Sequence, residues 1–343
     1  MKYRVAIAGC HRMLQPQLAG HNFASAFAAV PETEIVAVYD RGAETRADFV
    51  RCWGEMPAYD DYTRMLQEVQ PDLLCIATRQ TLHAEQIEQA AAAGVRGILC
   101  DKPLATSLLE TDRIVSACRE SGMALAFALD RRWHSSYRHL RQLIGEGIVG
   151  RVTSILAFGC PNLINLGCHW YDTALMLLDD PEPLWVSGWV DDLANEPADS
   201  RRRLDPPGRG QVGLSNGVIL SVEPDGGRRP AFEIIGEEGR LLILQDAELC
   251  YHWTENGPEG KPEMRPLIIP LTQDAWPAGP AMVRDLVQSV ASHSPTACGV
   301  EQARRATEIG FAIHLSHQND GVRLHLPAED RTLSIPSFPW GNE

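Results

Sequence analysis

The first 130 residues alternate short apolar runs with helical patterns, and this alternation is the strongest constraint on the fold. The apolar runs are YRVAIAG, EIVAVYD, PDLLCIAT, VRGILCDKP and MALAFAL. Helical segments separate them, one of which, SLLETDRIVSACRESG, is expected to begin at Ser107 and end at Gly122. Near-continuous apolar strands between helices predict a parallel sheet that is covered on both faces. We expect a doubly wound α/β domain over residues 1–130, with a ligand crevice at the carboxyl ends of its strands.

The pattern of predicted strands and helices changes after about residue 150. Strand-like runs now follow one another, among them LWVSGWV, GQVGLSNGVILSVEP and FEIIGEEGRLLI. Asn216 and Gly217 form a dipeptide between two apolar runs, which is typical of a hairpin turn. The helical patterns CHWYDTALMLL, AMVRDLVQSVASH and EQARRATEIGFAIHLSHQ complete this part. We therefore predict an α+β domain over residues 131–343, built on a large, mostly antiparallel sheet.

Composition narrows the class of protein. The 343 residues suit two domains, and a net charge of -14 argues against a nucleic-acid partner, since such proteins usually present a basic face. The nine cysteines show no paired spacing of the kind that metal sites use, so we expect no metal and a reducing, cytoplasmic location. Apolar runs fall short of the ~20 residues that a membrane helix needs, so no membrane partner is expected.

The segment CHRMLQPQLAG follows the first strand, where a dinucleotide-binding turn of a Rossmann domain would lie. Gly9 occupies the first position of the pattern G-x-G-x-x-G, but His11 and Leu14 replace the second and third glycines. We expect an enlarged loop from Gly9 to Gly20, where the helix would begin, with Arg12 adding a charge-assisted contact to phosphate. The cofactor contacts predicted from this loop are Gly9, Cys10, His11 and Arg12.

Asp40 ends the second predicted strand. A carboxylate at this position accepts hydrogen bonds from the adenosine ribose hydroxyls and repels a 2′-phosphate. This favours NAD over NADP, although Arg41 directly after it partly offsets the repulsion. The alternative is that Asp40 is an ordinary helix-capping residue.

The segment CDKP places Asp101, Lys102 and Pro103 directly after a buried strand, at the crevice end of the sheet. Burial disfavours the charged form of a lysine, and a lysine in such a place exchanges a proton with a substrate hydroxyl. A surface Asp-Lys-Pro turn is the alternative.

In NLINLGCHWYDTALMLL, the residues Asn165, His169 and Asp172 are spaced so that they would share one face of a helix. An imidazole transfers protons near neutral pH, an amide binds a hydroxyl, and a carboxylate orients the imidazole. A histidine on a helix is also often structural, so this reading depends on its context.

Together and in this order, these motifs resemble the Gfo/Idh/MocA family of NAD(P)-dependent oxidoreductases over nearly the whole chain. CDKP resembles the family's E-K-P signature, and GCHWYD preceded by Asn165 resembles its D-x-x-x-H-x-x-D pattern. GEGIVGRV resembles the hinge into the second domain, and FEIIGEEGRLLI resembles a hairpin of the large sheet. Asp101 departs from the family's glutamate and Asn165 from its aspartate.

The resemblance implies hydride transfer between a nicotinamide and a secondary alcohol or ketone of a sugar, sugar derivative or cyclitol. Lys102 and His169 would be the catalytic residues at the reacting oxygen, and Asp101 would lie near the nicotinamide ribose. The remaining expected contacts are Thr78 and His83 with the cofactor, and Asn165, Asp172, Arg132 and Trp133 with the substrate. The cofactor would be NAD, with NADP as the alternative, and a face of the large sheet would form a homodimer or homotetramer.

Two alternatives stay open at this point. The altered glycine loop and Asn165 favour a non-catalytic, dinucleotide-binding sensor or regulator on the same fold. A redox-neutral enzyme that tightly holds NAD would oxidise and then re-reduce its substrate. Lys102 and His169 argue against the sensor, because an unpaired buried charge without a function is costly.

Overall fold

The computed structural model describes residues 2–192, 203–225, 227, 229–255, 257, 260–269 and 276–335. The chain forms two compact units. Unit 1 contains Met1–Trp133 and Gln273–Arg304, and unit 2 contains His134–Thr272 and Arg305–Glu343.

Unit 1 is built on a parallel sheet of six strands, which confirms the predicted Rossmann architecture. The strands are β1 (Tyr3–Ala8), β2 (Thr33–Tyr39), β3 (Ala58–Tyr59), β4 (Leu73–Ile76), β5 (Gly97–Cys100) and β6 (Ala124–Phe127). They lie in the order β3-β2-β1-β4-β5-β6. The order reverses at β1, and in such sheets the nucleotide binds beyond the carboxyl ends of the strands at this point.

The helices of unit 1 connect these strands. They are α1 (Phe23–Ala28), α2 (Ala43–Trp53), α3 (Tyr62–Val69), α4 (His83–Ala92) and α5 (Leu108–Ser121). Short 3-10 turns span Gln80–Leu82 and Asp130–Trp133. The predicted ends of α5 are confirmed: the Ser107 hydroxyl accepts a hydrogen bond from the Glu110 N–H at 3.1 Å, and Gly122 is left-handed with φ 69°.

The start of α1 differs from the expectation that Gly20 opens it. The helix begins at Phe23, and the side chain of Asn22 caps it by accepting the N–H of Ser25 at 3.1 Å. Asparagine competes well for this position because its carbonyl oxygen satisfies an N–H that has no partner within the helix.

Unit 1 also includes a later stretch of the chain with helix α8 (Ala278–Ser292), whose side chains pack on β5. A Cβ placed on Gly97 would lie 2.7 Å from a methyl carbon of Val290, so helix and strand are in direct contact. The loop after α8 contributes the carbonyl of Cys298, which accepts the N–H of Phe127 at 2.8 Å. The parallel sheet is therefore completed by residues far along the chain.

Unit 2 contains a nine-stranded sheet. Its strands are β7 (Val152–Phe158), β8 (Pro183–Val190), β9 (Gly208–Leu214), β10 (Ile219–Val222), β11 (Ala231–Gly236), β12 (Gly239–Leu244), β13 (Leu249–Thr254), β14 (Glu263–Pro266) and β15 (Leu324–His325). Their order is β14-β13-β12-β11-β7-β10-β9-β8-β15, and among these nine described strands β7 and β10 form the one parallel pair. The predicted, mostly antiparallel sheet is confirmed. The β9–β10 hairpin turns at Asn216 and Gly217, the latter with φ 84°.

Helices α6 (Ser135–Gly145) and α7 (Gly167–Leu177) belong to unit 2, and α9 (Val300–Gln318) runs from the last residues of unit 1 into unit 2. Every residue of α7 is buried. A helix that is buried on all sides is hydrophobic all round, and its few polar side chains therefore need a specific role or partner.

Candidate functional site

The carboxyl end of β1 shows why Gly9 is required there. Gly9 has φ 83°, a conformation that suits glycine, and a Cβ at this position would lie 2.7 Å from the carbonyl of Ala77 and the nitrogen of Thr78. The chain leaving β1 thus passes directly against the chain leaving β4. Gly9 performs the sharp exit from the strand that the first glycine of the motif supplies.

Asp40 follows β2 and is half-buried. Its carboxylate accepts the N–H of Cys10 at 3.1 Å and the N–H of Gly42 at 2.9 Å. A carboxylate has about four lone-pair positions, so acceptor capacity is left for ribose hydroxyls. Burial, followed by the nearby Asp40 charge, raises the pKa of the Cys10 thiol, which stays protonated and points inward. Arg41 is exposed.

The loop that replaces the glycine pattern is held by side chains. The indole N–H of Trp53 donates to the carbonyl of Met13 at 2.6 Å, and the Asn22 amide donates to Gln15 at 2.7 Å. His11 and Arg12 are exposed on it, and a Cβ added to Gly20 would meet no atom within 4 Å. Gly20 therefore does not replace the second and third glycines of the motif, which allow close packing.

Asp101 and Lys102 lie at the carboxyl end of β5. Asp101 is buried, and its carboxylate accepts the backbone N–H of Lys102 at 2.8 Å. Arg12 approaches the other carboxylate oxygen at 3.4 Å, and the imidazole of His21 lies 3.9 Å from the same carboxylate. The peptide between Lys102 and Pro103 is cis. The carboxylate of Asp101 thus fixes the backbone that carries the lysine.

Thr78 and His83 lie beside this site, after β4. The Thr78 hydroxyl donates to the side chain of Gln86 at 2.6 Å. His83 is fully buried, with one ring nitrogen 3.1 Å from the carbonyl of Thr78 and the other 3.2 Å from the carbonyl of Leu104. Burial lowers the pKa of His83, which favours the neutral ring. A neutral imidazole carries one N–H, so it donates to only one of these two carbonyls, and the ring lies between the loop after β4 and the loop that follows Lys102.

Arg132 and Trp133 follow β6 and are both buried. The guanidinium of Arg132 donates to the carbonyl of Ala297 at 3.1 Å, and the indole of Trp133 donates to the carboxylate of Asp285 at 2.9 Å. These bonds tie the end of β6 to α8 and the loop after it, within unit 1.

In unit 2, Asn165, His169 and Asp172 are all buried. His169 and Asp172 lie on α7, one turn apart, but Asn165 precedes the helix, which corrects the expectation that all three share one helix face. The reason is the turn at 163–166, whose backbone N–H groups bond to side chains instead of to a preceding helical turn.

The carboxylate that binds this turn belongs to Asp205, which the sequence patterns did not indicate. It lies in the sequence DPPGRG, where a solvated loop is the ordinary expectation. In the structure its side chain has no exposed surface. An aspartate among prolines and glycines directly before a strand was the available clue, and it is a weak one.

These residues fit a dinucleotide on unit 1. Gly9, Asp40, Thr78 and Asp101 stand at the ends of β1, β2, β4 and β5, along the crevice side of the sheet. Hydrogen-bond acceptors suited to ribose hydroxyls and the Arg12 guanidinium suited to phosphate are both present. A family model described as an oxidoreductase family with an NAD-binding Rossmann fold matches residues 3–128. The matched model is that of the Gfo/Idh/MocA oxidoreductases, and it covers about a third of the chain.

Several relatives at the sequence level carry the names of sugar enzymes. The chain is 32% identical over 154 residues to dTDP-3,4-didehydro-2,6-dideoxy-alpha-D-glucose 3-reductase of Streptomyces violaceoruber, covering 45% of this chain and 43% of that protein. It is 29% identical to D-apiose dehydrogenase of Paraburkholderia graminis, covering 52% and 50%, and 27% identical to D-glucoside 3-dehydrogenase of Escherichia coli, covering 52% and 54%. The chain thus aligns with about half the length of these relatives.

Solved structures share the fold of nearly the whole chain. Levoglucosan dehydrogenase in complex with NADH matches with a TM-score of 0.80 at 18% identity, covering 96% of this chain and 100% of that one. An oxidoreductase from Agrobacterium radiobacter in complex with NAD+, L-tartaric acid and magnesium matches with a TM-score of 0.78 at 17% identity, covering 95% and 98%. Within the described residues, no helix has the length and apolarity to cross a bilayer.

Proposed function

We propose that this protein is an NAD(P)-dependent oxidoreductase that transfers a hydride between the nicotinamide and a secondary alcohol or ketone of a sugar, sugar derivative or cyclitol. The observation that carries the proposal is the half-buried Asp40 carboxylate, which follows β2 and lies beside Gly9 at the end of β1, the strand at which the sheet order reverses. The named relatives, which are sugar dehydrogenases and a sugar reductase, support the substrate class.

NAD is the proposed cofactor, because the Asp40 carboxylate accepts ribose hydroxyls and repels a 2′-phosphate. His11 would contribute its backbone N–H to the phosphates and Arg12 its guanidinium. Cys10 would act through Asp40, because its N–H donates to that carboxylate. Exposed Arg41 would lie beside the adenosine end.

Thr78 and Asp101 would line the nicotinamide half of the cofactor. Because His83 has no exposed surface, we assign it a positioning role: its ring lies between the carbonyls of Thr78 and Leu104 and donates to one of them. The roles of Arg132 and Trp133 as substrate contacts stay predictions.

The chemistry follows from the residue types. When bound, the nicotinamide ring supplies or accepts the hydride. Lys102 would polarise the reacting oxygen, and His169 would take the hydroxyl proton during oxidation or return it during reduction. Asn165 cannot transfer a proton, so its amide would hold a neighbouring hydroxyl of the substrate. Asp172, one turn along α7, would orient the His169 ring.

The test is to mix the protein with NAD+ or NADP+ and a panel of sugars and cyclitols, and to follow the absorbance of reduced cofactor. Turnover with at least one carbohydrate, and a preference for NAD+, is the expected result. Cofactor binding without turnover of any alcohol or ketone would favour a sensor. Conversion of substrate without net reduced cofactor would favour redox-neutral chemistry with tightly held NAD.

We propose that the enzyme is a homodimer or homotetramer that uses the open face of the large sheet. On β12, Leu241 is fully buried. The next residue, Leu242, lies on the other face of the sheet, where it pairs with Tyr251 of β13 and is half-buried. Leu249, on the same face as Tyr251, is 42% exposed. A dimer or tetramer mass by light scattering, lost in Leu249→Glu, is the expected result; a monomeric wild type would contradict the proposal.

A cytoplasmic location is also proposed. None of the nine cysteines, all of which the structure describes, forms a disulfide. Fractionation of cells that express the tagged protein checks this: recovery outside the soluble cell contents would contradict it.

A further inference from the structure

A single buried carboxylate binds three consecutive backbone N–H groups ahead of α7. Asp205 accepts the N–H of Leu163 at 3.0 Å, that of Ile164 at 3.0 Å and that of Asn165 at 2.9 Å. All of these groups lie in unit 2, and the Asp205 side chain has no exposed surface. Successive N–H groups that converge in a turn form an anion-binding concavity, and here the anion is the protein's own side chain.

Such an arrangement is costly unless it is complete. A buried carboxylate loses its hydration, and only several well-placed donors replace it. The imidazole of His314, on α9, lies 3.4 Å from the same carboxylate and adds a fourth neighbour. Hydrogen bonds to a charged acceptor are about twice as strong as neutral ones, so this turn is held far more firmly than an ordinary loop.

The rest of the turn is fixed from other directions. The side chain of Asn162 accepts the N–H of Leu166 at 2.7 Å, and the Tyr171 hydroxyl donates to the carbonyl of Leu163 at 2.9 Å. On α9, Gly310 permits a close approach, since a Cβ there would lie 2.5 Å from the carbonyl of Leu163. The path of the backbone into α7 is therefore determined on all sides.

We infer that Asp205 is a positioning residue for the proposed substrate site. By binding the N–H groups of residues 163–165, it fixes the position of the Asn165 side chain and of the first turn of α7, which carries His169. The inference rests on the proposed function for its effect on catalysis. Its structural part, the hold on the turn, stands independently. The bonds that Asp205 accepts from this turn come from backbone N–H groups, so it acts on the turn through the backbone.

The test compares Asp205→Asn with Glu308→Gln. An asparagine keeps the shape but offers one acceptor oxygen and turns an NH2 group toward N–H donors. Glu308 is a matched control, because its carboxylate is equally buried in unit 2 but accepts the N–H of Ala328 at 3.0 Å, away from the turn. Both variants are measured by hydrogen exchange, by carbohydrate KM and kcat, and by NADH affinity.

For Asp205→Asn we expect faster exchange at the amides of 163–165 and a fall in kcat/KM for the carbohydrate on the order of 10- to 100-fold. NADH affinity stays unchanged, because the proposed cofactor residues belong to unit 1. Glu308→Gln leaves both the exchange of this turn and the kcat/KM at the wild-type values. Wild-type exchange and kinetics in Asp205→Asn, or equal losses in the two variants, would overturn the inference.

If Asp205→Asn does not fold, His314→Gln takes its place, since it keeps the carboxylate and removes only the imidazole. Faster exchange at 163–165 with a several-fold rise in carbohydrate KM supports the inference, and no change in either quantity overturns it. A wild-type protein without turnover on any carbohydrate refutes the proposed function instead. The exchange comparison still decides whether Asp205 holds the turn.

Discussion

Replacing Gly9 by alanine tests the local geometry of the cofactor crevice most severely. The new Cβ would lie 2.7 Å from the backbone of Ala77 and Thr78, and the residue would keep φ 83°. Placing an L-residue in a left-handed conformation costs about 1–2 kcal/mol. Forcing an added methyl group into packed surroundings costs typically ~1–3 kcal/mol more. We expect a loss of roughly 3 kcal/mol in the free energy of opening of unit 1, which lies within the combined range of about 2–5 kcal/mol.

Two other glycines separate these contributions. Gly122 has φ 69° but nothing within 4 Å of an added Cβ, and Gly20 has neither a positive φ nor a close neighbour. Gly122→Ala should therefore cost only the conformational part, about 1 kcal/mol, and Gly20→Ala next to nothing.

The assay is hydrogen exchange of peptides from β1 and β4, which reports on unit 1 alone. A loss of roughly 3 kcal/mol corresponds to exchange that is about 100-fold faster, because each 1.36 kcal/mol is a factor of ten. NADH affinity should fall in parallel in Gly9→Ala and not in the two controls. Exchange in Gly9→Ala no faster than in Gly122→Ala would refute the argument from close approach.

Two further predictions concern unit 1. Asp40→Asn should weaken NAD+ binding about tenfold, which is the value of one hydrogen bond to a charged group, and should reduce the preference for NAD+ over NADP+. Calorimetric titration with each cofactor measures both effects. An unchanged preference for NAD+ would contradict the role assigned to Asp40. Burial lowers the pKa of His83 in the folded protein. In the unfolded chain its pKa has the ordinary histidine value of ~6.5, so the unfolded chain binds the proton more readily. The stability from His83 is therefore fully present above that pH and is lost as the pH falls below it. Thermal melts between about pH 7.5 and 5.5 should show that the Tm of the wild type falls more steeply with falling pH than the Tm of His83→Gln. Parallel plots of Tm against pH for the two proteins would contradict this role of His83.

Much of the fold was predictable because its signals are local. Buried parallel strands are continuous apolar runs in the sequence, and each of the longer strands of unit 1 coincides with one of the predicted runs. Ser107 and Gly122 mark the ends of α5 by chemistry that acts within a few residues. The hairpin at Asn216 and Gly217 needs only the dipeptide and its flanks.

What the patterns missed depends on contacts across long stretches of chain. The return of Gln273–Arg304 to unit 1 is decided by packing of α8 on β5, and helical periodicity does not say which sheet a helix covers. Asn165 was assigned to a helix because its spacing fits one. A carboxylate 40 residues away, Asp205, binds its N–H and holds it in a turn instead.

The most direct test of the central claim is carbohydrate turnover by wild type, Lys102→Met and His169→Gln, with NADH affinity measured in parallel. We expect each substitution to lower kcat on the order of 10²- to 10⁴-fold while NADH affinity stays within a factor of about two to three of wild type. Variants that turn over substrate as fast as the wild type would contradict the claim that this ammonium and this imidazole act on the reacting oxygen.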